Sequence, residues 1–358
     1  MTDTRKEIDY VIAPADIVTA DVAADIGNAR SVILIRTDTD TTPIAVDMPT
    51  VRSLHGAFSY EVFAARGLPA ASWAKLGAGE HIIERDGSER FVGRLAVDSG
   101  TPASGGRGSD ARYFDGTTLD FILAGVASAL PGASKIAVKL TTMLPIGLWH
   151  LAPKVEAALK KTHQFRYNGR DVTVLIRSVT VRREGEAAFA SIDGDTSGNV
   201  IVIDGGGRTV NIALFKDGVY RNGATLELGV QAALDNLDKH LIGRGGLRPL
   251  SLSERDDLEA ALIAGREFRY ISDGQAVNLA AHARAQLDAT AHALVQEISA
   301  KVPIGAARRV VFVGGASYGA LFGNEVKDEI PRCETASLRE LANAYGALGV
   351  AKKKGGKK

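Results

Sequence analysis

Residues 200–215 read VIVIDGGGRTVNIALF, and the way this stretch turns decides the fold. Val200, Ile201, Val202 and Ile203 make a short apolar run, the mark of a buried strand. Asp204 follows, then Gly205, Gly206, Gly207, Arg208 and Thr209. Beyond them Val210, Ile212 and Leu214 alternate with Asn211, Ala213 and Phe215, which is strand periodicity and not helix periodicity. Asp217-Gly218 then signals a tight turn into another strand. A dinucleotide-binding glycine loop would instead run from strand into helix. Here the glycines form a hairpin tip, where backbone N–H groups can approach an anion closely. Asp204 leads that turn and is well placed to hold a hydrated magnesium ion. An ordinary glycine-rich hairpin would read the same way, so the rest of the chain has to discriminate.

Composition narrows the field. The 358 residues are enough for two domains, and 45% hydrophobic with 24% charged residues is ordinary globular usage. A formal net charge of +1 gives no case for a basic nucleic-acid-binding domain. The single cysteine, Cys333, excludes an intrachain disulfide and fits a reducing compartment. No apolar stretch approaches the roughly 20 residues that span a bilayer. The polar opening MTDTRKEIDY lacks the apolar core of a signal peptide, so a cytoplasmic location is expected. The histidines are scattered, none at metal-ligand spacing, and no zinc site is expected.

The device at Asp204 recurs near the start of the chain. A strand candidate at 18–24 ends in Asp25-Ile26-Gly27-Asn28, and a β-branched strand resumes at 31–35. Two copies in separate halves suggest a duplicated architecture. A third glycine turn, Gly314-Gly315-Ala316-Ser317, follows a strand at 309–313 and leads into a helix from Tyr318. Between these landmarks, helices are expected at 118–130, 151–161, 228–241 and 276–301, with strands at 135–140 and 171–181. The pattern breaks at 141–146, and 52–119 is hard to assign, with Phe58, Tyr60, Phe63 and Trp73 expected in the core. Residues 99–110 read as a flexible loop by composition. Ser251 and Glu254 form a capping box for a helix reaching about Ala264. A last helix spans 337–350, before the lysine-rich end AKKKGGKK, most simply a solubilising tail. Glu184, at the exit of the 171–181 strand, can face a cleft and orient a water, or be a surface charge.

Three glycine turns in the order hairpin, hairpin, strand-to-helix are far more specific than any one. The order resembles the actin-like ATPase superfamily, and within it the ParM/StbA group of plasmid-segregation proteins, over roughly residues 19–348. Met48-Pro49-Thr50-Val51, Met143-Leu144-Pro145-Ile146, the segment 182–188 and Ala342-Asn343-Ala344-Tyr345-Gly346 resemble further family stretches. The resemblance implies an α/β actin-like (ribonuclease H-like, duplicated) two-domain fold with a nucleotide cleft between domains. Domain I would comprise 1–190 plus 337–358, and domain II 191–336. It implies a first phosphate loop of Asp25, Gly27, Asn28, Ala29, Arg30 and Ser31. The second would hold Asp204, Gly205, Gly206, Gly207, Arg208, Thr209 and Asn211, and the adenosine turn Gly314, Gly315, Ala316 and Ser317. Glu184 would position the attacking water, while Asp25 and Asp204 would hold magnesium through water.

The chain departs from the family pattern in places. The Lys usual seven positions after the first-loop Asp is Val32, and Arg30, on the same strand face, is the candidate to supply the charge. An Arg does not simply replace Lys, because its planar fork needs a different approach. The Asp common at the end of the second loop is Asn211, the third adenosine-turn glycine is Ala316, and the proline before Glu184 is Arg183. The expected function is therefore hydrolysis of ATP (or GTP) with Mg2+, coupled to a dynamic head-to-tail filament for plasmid or DNA segregation. The near-neutral charge implies that a separate DNA-bound adaptor protein makes the contact with DNA. The alternative is a non-polymerising nucleotide-dependent switch or chaperone-like factor of the same fold. A kinase would need a catalytic Asp, and Asp98, Asp110 and Asp115 sit in no defensible pattern.

Overall fold

The apolar run at 200–203 becomes the middle of a strand, Asn199–Gly205, with all four side chains fully buried. Such a run needs cover on both faces of its sheet, and it has it. Ile201 and Ile203 pack into one apolar cluster, Val200 and Val202 into another on the opposite face. The same holds in the first half, where Ile33 and Ile35 pack on one face and Val32 and Leu34 on the other.

The computed structural model describes residues 17–54, 80–98, 110–245, 247–272, 275–315, 324–330 and 332–349. Phe58, Tyr60, Phe63, Trp73, Ala316, Ser317, the loop 99–109 and the lysine tail lie outside them. The strands of the first half are β1 (Val18–Ile26), β2 (Arg30–Thr37), β3 (Ile44–Pro49), β4 (Arg52–Leu54), β5 (Glu80–Arg85), β6 (Ser88–Gly93), β7 (Lys135–Leu144), β8 (Thr162–Tyr167) and β9 (Arg170–Arg183). The second half has β10 (Asn199–Gly205), β11 (Val210–Lys216), β12 (Val219–Leu226), β13 (Arg269–Ser272), β14 (Gln275–Asn278), β15 (Arg309–Val313) and β16 (Cys333–Thr335).

The suspected duplication is visible in the strand order. The first sheet runs β3-β2-β1-β7-β9 before continuing through β8, β5, β6 and β4; the second runs β12-β11-β10-β15-β16. In each, a three-strand antiparallel meander is followed by two parallel additions. The registers match too: Asp25 stands opposite Val32, and Asp204 opposite Asn211. Both hairpins are therefore the same device, ending at the same relative level.

Several boundaries differ from those read in the sequence. Strand β7 continues through Thr141, Thr142 and Met143 to Leu144, held between parallel β1 and β9. The long helix starts at Ala280, because 275–278 pairs with β13. The expected 151–161 helix is a 3-10 turn, Ile146–Leu151, followed by the α-helix Ala152–Leu159 with Pro153 in its first turn, where proline costs no hydrogen bond. The last helix is likewise a 3-10 turn, Arg339–Leu341, and the α-helix Ala342–Leu348, which ends at left-handed Gly349. The capping box at Ser251 and Glu254 opens the helix Leu252–Ile263 as expected.

The two halves meet where the short helix Glu186–Phe189 packs against Ala342–Leu348. Ala187 packs with Ala344 and Ala347 beneath the first sheet, while Ala188 and Ala342 pack beneath the second. The approach is so close that a Cβ on Gly346 would lie 1.8 Å from the Ala187 carbonyl oxygen. Gly346→Ala is therefore expected to destabilise the fold by about 3 kcal/mol. Urea unfolding of the variant checks this, and an unchanged midpoint would refute the tight crossing.

Candidate functional site

Because the two hairpins end at the same level of adjacent sheets, their tips come together. A Cβ on Gly207 would sit 2.8 Å from the Cβ of Ala29, so the second tip touches the first. Between and below them lies a cleft of about 370 Å³. Asp25, Gly27, Asn28, Ala29 and Arg30 line it from the first hairpin, Asp204, Gly206, Gly207 and Thr209 from the second. Gly314 and Gly315 reach it from the end of β15, and Glu184 from the exit of β9. The far wall is helical, with Gln231 and Leu234 from Val230–Gly245 and Ala260 and Ile263 from Leu252–Ile263.

Some expected residues are turned elsewhere. Ser31 is fully buried, and its hydroxyl pairs with that of Thr50 at 2.7 Å. Gly205 lies within β10 and does not line the cleft. Arg208 leaves the tip to bind Glu227 at 2.9 Å and to approach Asp110 at 3.9 Å. Arg30 lines the cleft, but its guanidinium makes a two-point contact with Asp47 at 3.0 and 2.5 Å. Asn211 does not line the cleft; its Nδ2 donates to Glu184 Oε2 at 2.5 Å. Its Oδ1 accepts from the Ile146 amide at 3.0 Å and the Thr225 hydroxyl at 2.7 Å.

Two residues at the site were not among the sequence candidates. Asn343 opens the last helix, and its Nδ2 donates to Asp204 Oδ2 at 2.7 Å while its Oδ1 accepts from the amides of Gly185 and Ala188, both at 3.1 Å. The Asn-Ala-x-Gly motif held the signal for it. Arg112, from the 3-10 turn Asp110–Tyr113, is buried under the first loop and donates to the Gly27 carbonyl at 2.8 Å. Nothing in the local sequence marks it, since its partner is 85 residues away.

Asp25, Glu184 and Asp204 form an acidic cluster with too little compensation. Burial, then the charge of Asp204, pushes Asp25 up to about 7, against a hydrogen bond from Asn343 and the charge of Arg112. Burial pushes Asp204 up to about 6. Glu184 is raised well above the usual carboxylate range by burial, then by Asp204 and Asp25. A divalent cation would relieve all three. Magnesium keeps several waters and needs only one or two carboxylates beside phosphate oxygens. Among the described residues no three acidic, His or Cys side chains are grouped as a direct metal cage. Asn28 Oδ1 is buried at the cleft without a hydrogen-bond partner, an acceptor that a metal-bound water would satisfy. The residues present thus fit a hydrated Mg2+ facing Asp25 and Asp204.

Residues 23–186 match the family described as Actin like proteins N terminal domain. The chain has the actin-like fold. The two-domain actin-like fold read from the glycine turns is thereby borne out, and so is the ParM-type resemblance at the level of fold. An archaeal actin homolog aligns with a TM-score of 0.69 at 17% identity, covering 92% of this chain and 98% of that one. A 15-stranded ParM filament from Clostridium botulinum aligns with a TM-score of 0.70 at 17% identity, over 92% and 98%. The actin-like protein Alp7A gives 0.64 at 18%, over 93% and 95%. The archaeal homolog has also been solved in complex with ADP. No curated protein matches the chain. No helix among the described residues is long and apolar enough to cross a membrane.

The acidic cluster has a measurable consequence. Folded-state values of about 7 and 6, against an ordinary 3.8, mean that the folded protein retains protons which the unfolded chain releases. These carboxylates therefore oppose folding increasingly as pH rises from about 4 to 7. Without nucleotide or metal, Asp204→Asn should gain melting temperature relative to the parent as pH goes from 5 to 7.5. A difference that stays flat with pH would show the cluster to be uncoupled from folding.

Proposed function

We propose that this actin-like protein binds and hydrolyses ATP or GTP with Mg2+, and that hydrolysis controls a head-to-tail filament that moves plasmid or other DNA. The observation that carries the reading is the meeting of two glycine hairpins, one from each sheet, over Asp25, Glu184 and Asp204. The amides of Gly27, Asn28 and Gly207 would surround the phosphates, and the Gly314-Gly315 turn the nucleoside. A bound Mg2+ would neutralise phosphate charge. Asn211 holds Glu184 Oε2, which leaves Oε1 to accept a hydrogen bond from a water aimed at the γ-phosphate. The chemistry asked of the protein is mostly positioning, and both tips must grip the ligand at once.

That double grip links chemistry to shape. Loss of the γ-phosphate releases one hairpin and favours opening between domain I (1–190 plus 337–358) and domain II (191–336). Only one degree of closure then matches the next copy along the filament, whose contacts are heterologous and non-closing. ParM and the archaeal actin homolog are the solved proteins whose fold and reported states support this reading. A near-neutral chain of formal charge +1 favours a reading in which an adaptor protein makes the DNA contact, with the cytoplasm as the proposed site of action.

Sedimentation with ATP, GTP, ADP and a non-hydrolysable analogue, with phosphate release in parallel, tests the proposal. Triphosphate should drive pelleting and ADP should not; nucleotide binding without any pelleting would favour a non-polymerising switch. Glu184→Ala should still pellet with triphosphate but release phosphate about 100-fold more slowly or worse. Unchanged turnover would remove Glu184 from water positioning.

A further inference from the structure

We propose that Arg112, lying beneath the first hairpin, and not Arg30 on its rim, is the cation that orients and charges that hairpin for a nucleotide phosphate. The inference rests on the nucleotide reading above and adds the residue that sets phosphate affinity. Three observations carry it.

The first concerns Arg30. Its side chain is 57% exposed, and both its Nε and Nη2 are engaged by the carboxylate of Asp47 on the neighbouring strand. A fork already matched to a carboxylate in water contributes little net charge to a ligand. The second concerns the strand itself. Val32, opposite Asp25, packs in an apolar cluster with Ala23 and Leu34, so β2 offers no cation of its own at that level.

The third is the geometry of Arg112. It is 2% exposed, its Nη1 donates to the Gly27 carbonyl at 2.8 Å, and its Nη2 donates to the Tyr113 hydroxyl at 2.6 Å. In a trans peptide the C=O and the following N–H point in opposite directions. With the Gly27 carbonyl drawn down to Arg112, the Asn28 N–H is turned the other way, towards the cleft that Asn28 lines. The carbonyl two residues further on, that of Ala29, is held by the Thr50 amide at 2.9 Å, so the turn is fixed on both sides of Asn28. The buried guanidinium is also close enough to Asp25 and Glu184 to favour their ionised forms. Because it is buried, its charge is screened less than that of an exposed arginine.

The test uses the full chain with three variants. Arg112→Gln keeps an N–H donor for Gly27 and removes the charge; Arg112→Lys keeps the charge; Arg30→Gln removes the rim cation. Affinity for Mg-ATP, Mg-ADP and adenosine is measured with kcat and KM. Arg112→Gln should weaken ATP and ADP binding at least tenfold, through KM more than kcat, with adenosine competition unchanged and Lys restoring most of the loss. The loss should exceed that of Arg30→Gln by fivefold or more. Equal losses for adenosine and ATP would indicate a merely structural arginine and overturn the proposal, as would a larger loss at Arg30. If Arg112→Gln does not fold, the order of the other two decides. Arg112→Lys closer to the parent than Arg30→Gln upholds the assignment, and the reverse overturns it. A parent protein that binds neither Mg-ATP nor Mg-GTP sinks the nucleotide reading itself, an outcome distinct from either.

Discussion

The side-chain amide of Asn343 joins three pieces of chain that are far apart in sequence. Its Nδ2 reaches Asp204 at the end of β10, and its Oδ1 takes the amides of Gly185 and Ala188 beyond β9. An asparagine can do this because it donates and accepts through one rigid group; an aspartate there would bring a further negative charge against Asp204. The contact fixes the last helix, the segment that carries Glu184 and the carboxylate of the second hairpin in one frame. Gly346, one turn further on, lets that helix lie against the Ala187 backbone, so the frame is tight as well as bonded.

Electrostatic tension in the cleft follows from this frame. Three carboxylates are held where burial and mutual repulsion raise their proton affinity. A protein under selection for stability alone would not arrange them so, and perturbed groups in a cleft mark it as a candidate functional site. The compensation is partial and local. Arg112 supplies charge from below, and Asn211 caps one oxygen of Glu184 with a neutral donor. The same Asn211 binds the Ile146 amide, and Thr225 binds that of Gly147, so the segment after β7 is tied to the second sheet beside Glu184.

Much of the fold was legible because the informative signals are local. Alternation in 210–215 and the apolar run at 200–203 define a hairpin within a short stretch, and the copy at Asp25 repeats it. The errors came where neighbours override local preference. Thr141 and Thr142 read as a break, yet parallel strands on both sides keep β7 extended. Residues 275–278 read as helix, yet β13 provides a pairing edge. Ser31 looked like a loop ligand, but its hydroxyl is spent on Thr50 across the strand pair.

The amino-acid sequence alone determined the two glycine hairpins and their carboxylates, because each depends on residues within one turn of chain. Only the tertiary structure decided that the tips touch, that Arg30 is occupied by Asp47, and that Arg112 and Asn343 belong to the site. The three side-chain contacts join residues 17 to 139 positions apart, the two tips lie further apart still in sequence, and no local pattern constrains which distant group the packed sheets bring to a given carbonyl or carboxylate.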